Sequence, residues 1–312
     1  MIFLAASENH ADRGESHALT SAGRPRYVVQ MTTAAYSWTG ARADKWRSQL
    51  TQMEAMLKLV DEPLIAALQL DRPLRVVDVG CGGGGTTLRI AREAPTGSTV
   101  LGLDISSTLI EVAKSRVAVE HGALGFQVAD MTRAPPPEVL YERLASRFGI
   151  MFFAEPEAAF SNLARWLTPG GRFAFAVWGS LVDNPWLKVV RDVVAEVTVL
   201  PADDPDAPGP MRYADQDKLL ALLAQAGFGE LKTNDFRASL PLGGGLPADQ
   251  AAGFALAAFA TFAELLEQAG PTAFERARSL LTKQLAAHEV DGQARLDARV
   301  HIVSGVRQKE EP

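Results

Sequence analysis

The sequence predicts an α/β fold built on a mostly parallel sheet, and three observations support that prediction. Short apolar runs alternate with helical segments of roughly 10–15 residues, which is the pattern of repeated β-α-β units. The first of these runs ends in a cluster of glycines at positions 80 and 82–85. Hydrophobic residues make up 47% and charged residues 22% of 312 residues, which is the composition of a folded globular chain.

The chain before the first strand divides into two parts. Residues 1–30 are polar and lack periodicity, so we expect a flexible N-terminal tail. Residues 31–70 are expected to form a helical cap, because apolar residues recur at helical spacing up to a break near Pro63. Trp38 and Trp46 are expected either to cover the functional site as a lid or to pack in the core.

The core is predicted to span residues 71–240. We expect helices at 86–93, 107–121 and 156–167, and strands at 74–79, 99–104, 125–130, near 143–146 and at 172–178. Strand 143–146 is expected to be weak, because residues 141–145 (YERLA) replace a strongly hydrophobic run. Residues 201–210 contain four prolines and are predicted to form a lid loop.

The last part of the chain is less regular. A helix is predicted at 215–226 and a strand at 230–240. Residues 241–312 are expected to supply a C-terminal lid helix and the end of the core sheet. That helix is predicted at 250–268, and its first 14 residues carry no charge.

Composition excludes several classes of protein. A net charge of −6 argues against nucleic acid as the partner, because phosphate binding needs clustered Lys and Arg. Cys81 is the single cysteine, which excludes a disulfide framework and a cysteine-based zinc site. No metal site is expected from the spacing of the other residues. The absence of an 18-residue apolar run predicts no membrane span, and the absence of a basic leader predicts a cytoplasmic protein.

The most informative segment is residues 76–87 (VVDVGCGGGGTT). Glycines after a strand allow a tight turn, and the following helix offers its free N–H groups to a ligand. Gly80, Gly82 and Gly85 satisfy G-x-G-x-x-G, the dinucleotide fingerprint. Asp78, Gly80, Gly82 and Gly84 satisfy D-x-G-x-G-x-G, which resembles motif I of the class I S-adenosylmethionine-dependent methyltransferases. The glycines alone do not decide between the two.

The spacing of acidic residues favours the second pattern. Asp104 follows Asp78 by 104 − 78 = 26 residues, and Asp130 follows Asp104 by 130 − 104 = 26 residues. Both families place an acid at the end of the second strand, where it accepts ribose hydroxyls. An acid at the end of the third strand suits the adenine amine and belongs to the methyltransferase resemblance, although Asp130 could instead cap a turn.

The wider resemblance covers residues 35–300. Residues 167–173 (LTPGGRF) are similar to the turn before strand five of this fold, and residues 146–156 (SRFGIMFFAEP), Trp178 and residues 184–186 (NPW) are similar to a narrower branch. The chain thus resembles the bacterial type-11, UbiE-like small-molecule methyltransferases. The resemblance implies a Rossmann-like seven-stranded sheet, with S-adenosylmethionine as cofactor and S-adenosylhomocysteine as product.

The resemblance also implies roles for individual residues. Those expected at the cofactor are Asp78, Gly80, Cys81, Gly82, Gly84, Asp104, Ile105, Asp130, Met131 and Ser146. Ser146 and Arg147 are expected beside the transferable methyl, and the residues expected around the acceptor are Arg147, Phe148, Met151, Phe152 and Trp178. Core packing remains open for the aromatic residues. Arg147 would bind an anionic group of the acceptor, or form a salt bridge to Glu155 or Glu157.

These observations predict methyl transfer to a small, hydrophobic or aromatic acceptor of secondary-metabolite type, by a protein that could form a homodimer. No general base is visible, and His121, His288 and His301 are expected to have surface or core roles. The alternatives are an NAD(P)-dependent Rossmann oxidoreductase and a non-catalytic subunit that binds S-adenosylmethionine. Carbon, oxygen and nitrogen all remain open as the methylated atom.

Overall fold

The structure is a computed structural model that describes residues 41–117 and 123–309. The expected tail at 1–30, Trp38 and His121 lie outside the described residues. Within the described ranges, strands alternate with helices along the chain, as the sequence predicts. None of the described helices is both long enough and apolar enough to cross a membrane.

A central sheet organises the described chain. Its strands are β1 (Arg75–Val79), β2 (Thr99–Asp104), β3 (Leu124–Val128), β4 (Tyr141–Arg147), β5 (Leu167–Trp178), β6 (Phe228–Pro241), β7 (Glu289–Val290) and β8 (Gln293–Arg307). Seven of them follow the order β3-β2-β1-β4-β5-β8-β6, and the short β7 pairs with β8. Strands β1 to β5 are parallel, whereas β8 is antiparallel to both β5 and β6. The order reverses between β1 and β4, which is where open α/β sheets bind ligands.

Helices surround this sheet. They are α1 (Ala41–Leu57), α2 (Asp61–Leu68), α3 (Gly85–Glu93), α4 (Ser107–Ser115), α5 (Pro156–Trp166), α6 (Pro185–Val197), α7 (Gln216–Gln225), α8 (Ala248–Ala258), α9 (Ala260–Ala269) and α10 (Pro271–Ala286). A short 3-10 turn, Lys58–Val60, separates α1 from α2, so the break falls before the predicted Pro63. Residues 201–210 form neither helix nor strand, as expected for a Pro-rich loop.

The prediction that strand four is weak was wrong. Strand β4 has seven residues, most of them buried, and lies between β1 and β5. Its charged side chains are paired: Arg143 Nε donates to the Leu68 carbonyl at 2.5 Å, and Glu142 accepts from Arg72 Nη1 at 2.7 Å. Because these partners satisfy the charges, the polar sequence does not prevent a central strand.

The prediction of one helix at 250–268 was also wrong, because the segment forms α8 and α9. The chain breaks at Phe259, which adopts an extended conformation with φ −94° and ψ 99°. The Phe259 ring packs 5.3 Å from the ring of Trp186 in α6. Sequence periodicity did not show this break, because alanine and phenylalanine on both sides are compatible with a continuous helix.

Candidate cofactor site

The glycine loop between β1 and α3 adopts a conformation that only glycine takes without strain. Gly80, Gly82 and Gly84 have φ values of 67°, 55° and 84°. The loop is also tied to β2, since the Cys81 N–H donates to the Leu103 carbonyl at 3.0 Å and the Gly82 N–H donates to Asp104 Oδ2 at 2.9 Å. The loop is therefore held in shape before any ligand arrives.

Space beside the loop is open at one glycine and filled at the others. A Cβ added to Gly80, Gly83, Gly84 or Gly85 would lie within 3 Å of Gly149, Leu50, Phe126 or Glu54, respectively. At Gly82 the nearest atom is Trp46 Nε1, at 4.0 Å. Gly82 thus leaves room for a bound group, and the Trp46 indole from α1 lines that space.

Asp104 is the last residue of β2, and its two carboxylate oxygens bind two different backbone segments. Its Oδ2 accepts the Gly82 N–H and its Oδ1 accepts the Ser106 N–H, both at 2.9 Å. Burial raises the pKa of Asp104, and these backbone N–H groups counter that rise. The Ile105 N–H also acts on this carboxylate. A carboxylate has about four acceptor positions, so at least one remains for the ribose hydroxyls that the resemblance assigns to it.

The neighbouring strand ends present an apolar surface. Ile105, after β2, is 45% exposed and Val128, the last residue of β3, is 47% exposed. Sequence reasoning missed Val128, although the alignment of β3 against β2 places it opposite Asp104. Met131, expected here with Ile105, is buried at 4% exposure. Asp130 Oδ1 accepts from the N–H and hydroxyl of Thr132 at 2.9 and 2.7 Å, so Asp130 caps the turn after β3.

Asp78 is buried beneath the glycine loop. Its Oδ2 accepts the Thr87 hydroxyl at 2.7 Å, whereas its Oδ1 is buried without a partner. Burial raises the pKa of Asp78 to about 7. An unpaired buried oxygen of this kind is stabilised by a proton or by a nearby cation.

The two residues expected beside the transferable methyl connect secondary-structure elements in this structure. Ser146 is fully buried and donates its hydroxyl to the Val79 carbonyl at 2.7 Å, which joins the ends of β4 and β1. Arg147 Nη1 donates to Asp61 Oδ1 at 2.9 Å and to the Leu57 carbonyl at 3.3 Å. The partner of Arg147 is thus Asp61 of α2 rather than Glu155 or Glu157. Because this pairing fixes the guanidinium, Arg147 holds the end of β4 in place.

Aromatic rings extend from the end of β4 toward α9. Phe148 has a positive φ of 61° and stacks on Trp178 with ring centres 4.2 Å apart and planes 10° apart. Trp178 lies 4.7 Å from Trp186, which contacts Phe259. Phe148, Trp178 and Met151 are buried in the core, whereas Phe152 is half-buried. In this structure the rings pack against each other.

One titratable pair of the described residues lies on the antiparallel side of the sheet, beyond β5. His301 is buried on β8 and its Nδ1 lies 2.7 Å from Asp235 Oδ1 on the edge strand β6. Within residues 41–117 and 123–309, no group of three or more His, Cys, Asp or Glu side chains could hold a metal ion.

A carboxylate from α1 occupies the start of α3. A Cβ on Gly85, the first residue of α3, would lie 2.9 Å from Glu54 Oε1. A dinucleotide places its pyrophosphate at this helix N-terminus. The Glu54 charge at this position is paired, because Arg116 Nη1 lies 2.7 Å from Glu54 Oε1.

Comparison with known proteins identifies a methyltransferase domain in this chain. Residues 76–171 match the family described as "Methyltransferase domain". The chain is 33% identical over 127 residues to methyltransferase GfsG of Streptomyces halstedii, which covers 39% of this chain and 45% of that protein. It is 25% identical over 171 residues to the ubiquinone/menaquinone biosynthesis C-methyltransferase UbiE of Geotalea daltonii, covering 52% of this chain and 73% of that protein.

The fold is shared with solved structures. Protein YcgJ of Bacillus subtilis superposes with a TM-score of 0.52 at 15% identity, covering 80% of this chain and 98% of that protein. This likeness concerns the fold alone. The chain spans about half the length of the curated relatives it matches first.

Proposed function

Since the chain carries a methyltransferase domain with the class I, Rossmann-like fold, we propose that the whole protein transfers a methyl group from S-adenosylmethionine to a small, hydrophobic or aromatic acceptor. The observation that carries this proposal is the glycine loop fastened to Asp104, with open space at Gly82. That loop lies where the strand order reverses, between β1 and β4.

The residues present fit the cofactor. Gly82 leaves room for the methionine part, Asp104 has acceptor positions for the ribose, and Ile105 with Val128 offers an apolar surface for adenine. Asp78 lies beneath the loop with one buried oxygen unpaired, and a cofactor that carries positive charge would favour the ionised form of this carboxyl group. We propose that the other residues expected at the cofactor also shape this site, namely Gly80, Cys81, Gly84, Asp130 and Met131.

The sulfonium of the cofactor supplies a methyl group that is already activated for displacement. The task of the chain is then to position the reactants and exclude water. Ser146 and Arg147 fix the end of β4, and Trp46 covers the space at Gly82. This arrangement suits an acceptor atom that is nucleophilic without a dedicated base, such as an amine, a phenolate or an enol carbon.

The proposal for the acceptor rests on the aromatic rings. Phe148, Trp178 and Trp186 lead from the end of β4 to Phe259, where α8 and α9 meet. We propose that the acceptor lies against Phe262, which is half-buried and whose ring is 6.0 Å from that of Phe259, and we keep the half-buried Phe152 as a further candidate. An aromatic acceptor would pack against such rings in the stacked or edge-on arrangements that aromatic pairs favour.

The match of residues 76–171 to a methyltransferase domain favours S-adenosylmethionine over NAD(P) as the cofactor. A non-catalytic subunit that binds S-adenosylmethionine would keep the same preorganised loop, so the methylation assay below separates it from an enzyme.

Isothermal titration with S-adenosylhomocysteine tests the cofactor assignment. Asp104→Ala should weaken binding by about 2–3 kcal/mol, the scale of charged hydrogen bonds. Asp104→Asn should lose less, because its amide oxygen can still accept the Gly82 N–H. Glu111→Ala, on the exposed face of α4, is the matched control and should bind normally. Unchanged affinity in a folded Asp104→Ala protein would remove Asp104 from the site.

The enzymatic part needs its own assay. Wild-type protein is incubated with methyl-labelled S-adenosylmethionine and a panel of aromatic, aliphatic and anionic acceptors. Methylation of an aromatic or apolar acceptor supports the proposal. Tight binding of NADH, with no binding of S-adenosylhomocysteine, would favour the oxidoreductase.

A further inference from the structure

One arginine contacts both the glycine loop and the helix that covers it. Arg116 follows α4, and its Nη1 donates to the Gly83 carbonyl at 2.8 Å. The same nitrogen lies 2.7 and 2.9 Å from the two carboxylate oxygens of Glu54 in α1. Both side chains are about three-quarters buried, with 27% and 23% exposure. A single guanidinium thus joins α4, the loop and α1.

Helix α1 lies on the loop through one stripe of residues. Trp46, Leu50 and Glu54 are four positions apart, so they share one helical face. Each of them is the nearest neighbour of a loop glycine: Trp46 at Gly82, Leu50 at Gly83 and Glu54 at Gly85. A movement of α1 as a rigid helix that uncovers Gly82 therefore also carries Glu54 away from Arg116.

From this geometry we propose that Arg116 is a positioning residue, and that its ion pair with Glu54 acts as a latch that sets how fast the cofactor enters and leaves. The proposal rests on the proposed function, because it assigns the cofactor to the loop. Opening breaks the Arg116–Glu54 contact and leaves Arg116 bound only to the Gly83 carbonyl.

Glu54 is well suited to this task. Its carboxylate lies against the start of α3, where the helix dipole stabilises negative charge, and it also pairs with Arg116. Because the pair is partly exposed, salt weakens it. The exchange rate should therefore rise with ionic strength in the wild type and less so when the charge pair is removed.

The test measures the dissociation rate of S-adenosylhomocysteine by stopped-flow tryptophan fluorescence, at low and high KCl. Glu54→Gln and Arg116→Gln each remove the charge pair, and we expect each to speed dissociation about tenfold at low salt, the scale of a lost charged hydrogen bond. The matched control is Glu93→Gln, which breaks the Arg89–Glu93 ion pair on α3. This control should leave the rate unchanged.

The outcomes separate the inference from the function on which it rests. If the latch variants melt at lower temperature but release the cofactor at the wild-type rate and with the wild-type salt dependence, the pair is structural and the latch is refuted. If wild-type protein does not bind S-adenosylhomocysteine, the proposed function fails. Faster release that salt no longer accelerates supports the latch.

Discussion

Asp78 is a carboxylate buried beneath the glycine loop, and its protonation links the loop to pH. Burial raises its pKa from 3.8 to about 7, so between these values the folded protein keeps a proton that the unfolded chain has lost. The contribution that protonated Asp78 makes to the free energy of unfolding is therefore fully present below about pH 4, and it is lost as pH rises through about 7. At about 1.4 kcal/mol per pKa unit, the effect could reach about 4 kcal/mol.

We predict that Asp78→Asn removes this part of the pH dependence. Urea unfolding of the ligand-free proteins at about pH 5 and pH 8 should show that wild type loses more stability between the two values than the variant does. Glu111→Gln on α4 is the control and should follow wild type. Equal losses in wild type and Asp78→Asn would mean that Asp78 is ionised in the folded state at both pH values.

At the level of single residues, the sequence predicted where a residue lies better than it predicted which partners that residue binds. Motif spacing placed Asp104 at a strand end beside the loop, and the structure confirms that position. It also placed Ser146 and Arg147 at the end of β4, but their partners, Val79 and Asp61, come from other elements. Tertiary partners of this kind leave no local signal in the sequence.

At the scale of whole elements, residues 184–186 (NPW) form a joint, by which we mean a point where three secondary-structure elements are hydrogen-bonded to one side chain. Asn184 is fully buried, and its amide donates to the Ser180 and Arg299 carbonyls at 2.9 and 3.2 Å. Its Oδ1 accepts from Trp186 Nε1 and from the Arg299 N–H, both at 3.1 Å. One side chain thus fastens the end of β5, the start of α6 and strand β8 to one another.

We predict that Asn184→Ala destabilises the protein by about 2–4 kcal/mol, because several buried polar groups lose their partners together. Thermal or urea unfolding measures the change. Asn234→Ala, at an exposed position of β6, is the control and should lie within about 0.5 kcal/mol of wild type. A small effect of Asn184→Ala would show that the joint relaxes or that water replaces the amide.

The elements that sequence predicted well are those whose pattern is local. The apolar run before the glycines gave β1, and the spacing of Asp104 gave β2 with its end at the same residue. The polar sequence of β4 misled because Arg143 and Glu142 find partners in distant segments. The break between α8 and α9 depends on the contact of Phe259 with Trp186, which lies 73 residues earlier in the chain.

At the scale of the molecule, the N-terminal and C-terminal segments meet over the sheet. Helix α1 packs against α8 and α9, and Lys45 of α1 pairs with Glu267 of α9 at 3.3 Å. A Cβ on Gly244, in the turn before α8, would lie 2.5 Å from the Ala55 methyl of α1. Helix α1 is therefore held between the glycine loop on one side and the C-terminal segment on the other, which connects the cofactor side of the protein to the proposed acceptor side.

This arrangement predicts that a change on α9 alters the binding of the acceptor without altering the binding of the cofactor at the glycine loop. Phe262 is half-buried and its ring lies 6.0 Å from that of Phe259, at the end of the aromatic series. If these rings border the acceptor, Phe262→Ala should raise the KM for an aromatic acceptor about tenfold, from the loss of buried ring area, and leave the affinity for S-adenosylhomocysteine unchanged. Gln268→Ala, at an exposed position of the same helix, is the control and should leave the KM unchanged. The competing explanation is that this face of α9 joins two copies of the chain, and light scattering on wild type and Phe262→Asp separates the two. A wild-type dimer that becomes a monomer in Phe262→Asp while turnover stays the same would assign Phe262 to an interface and remove it from the acceptor site.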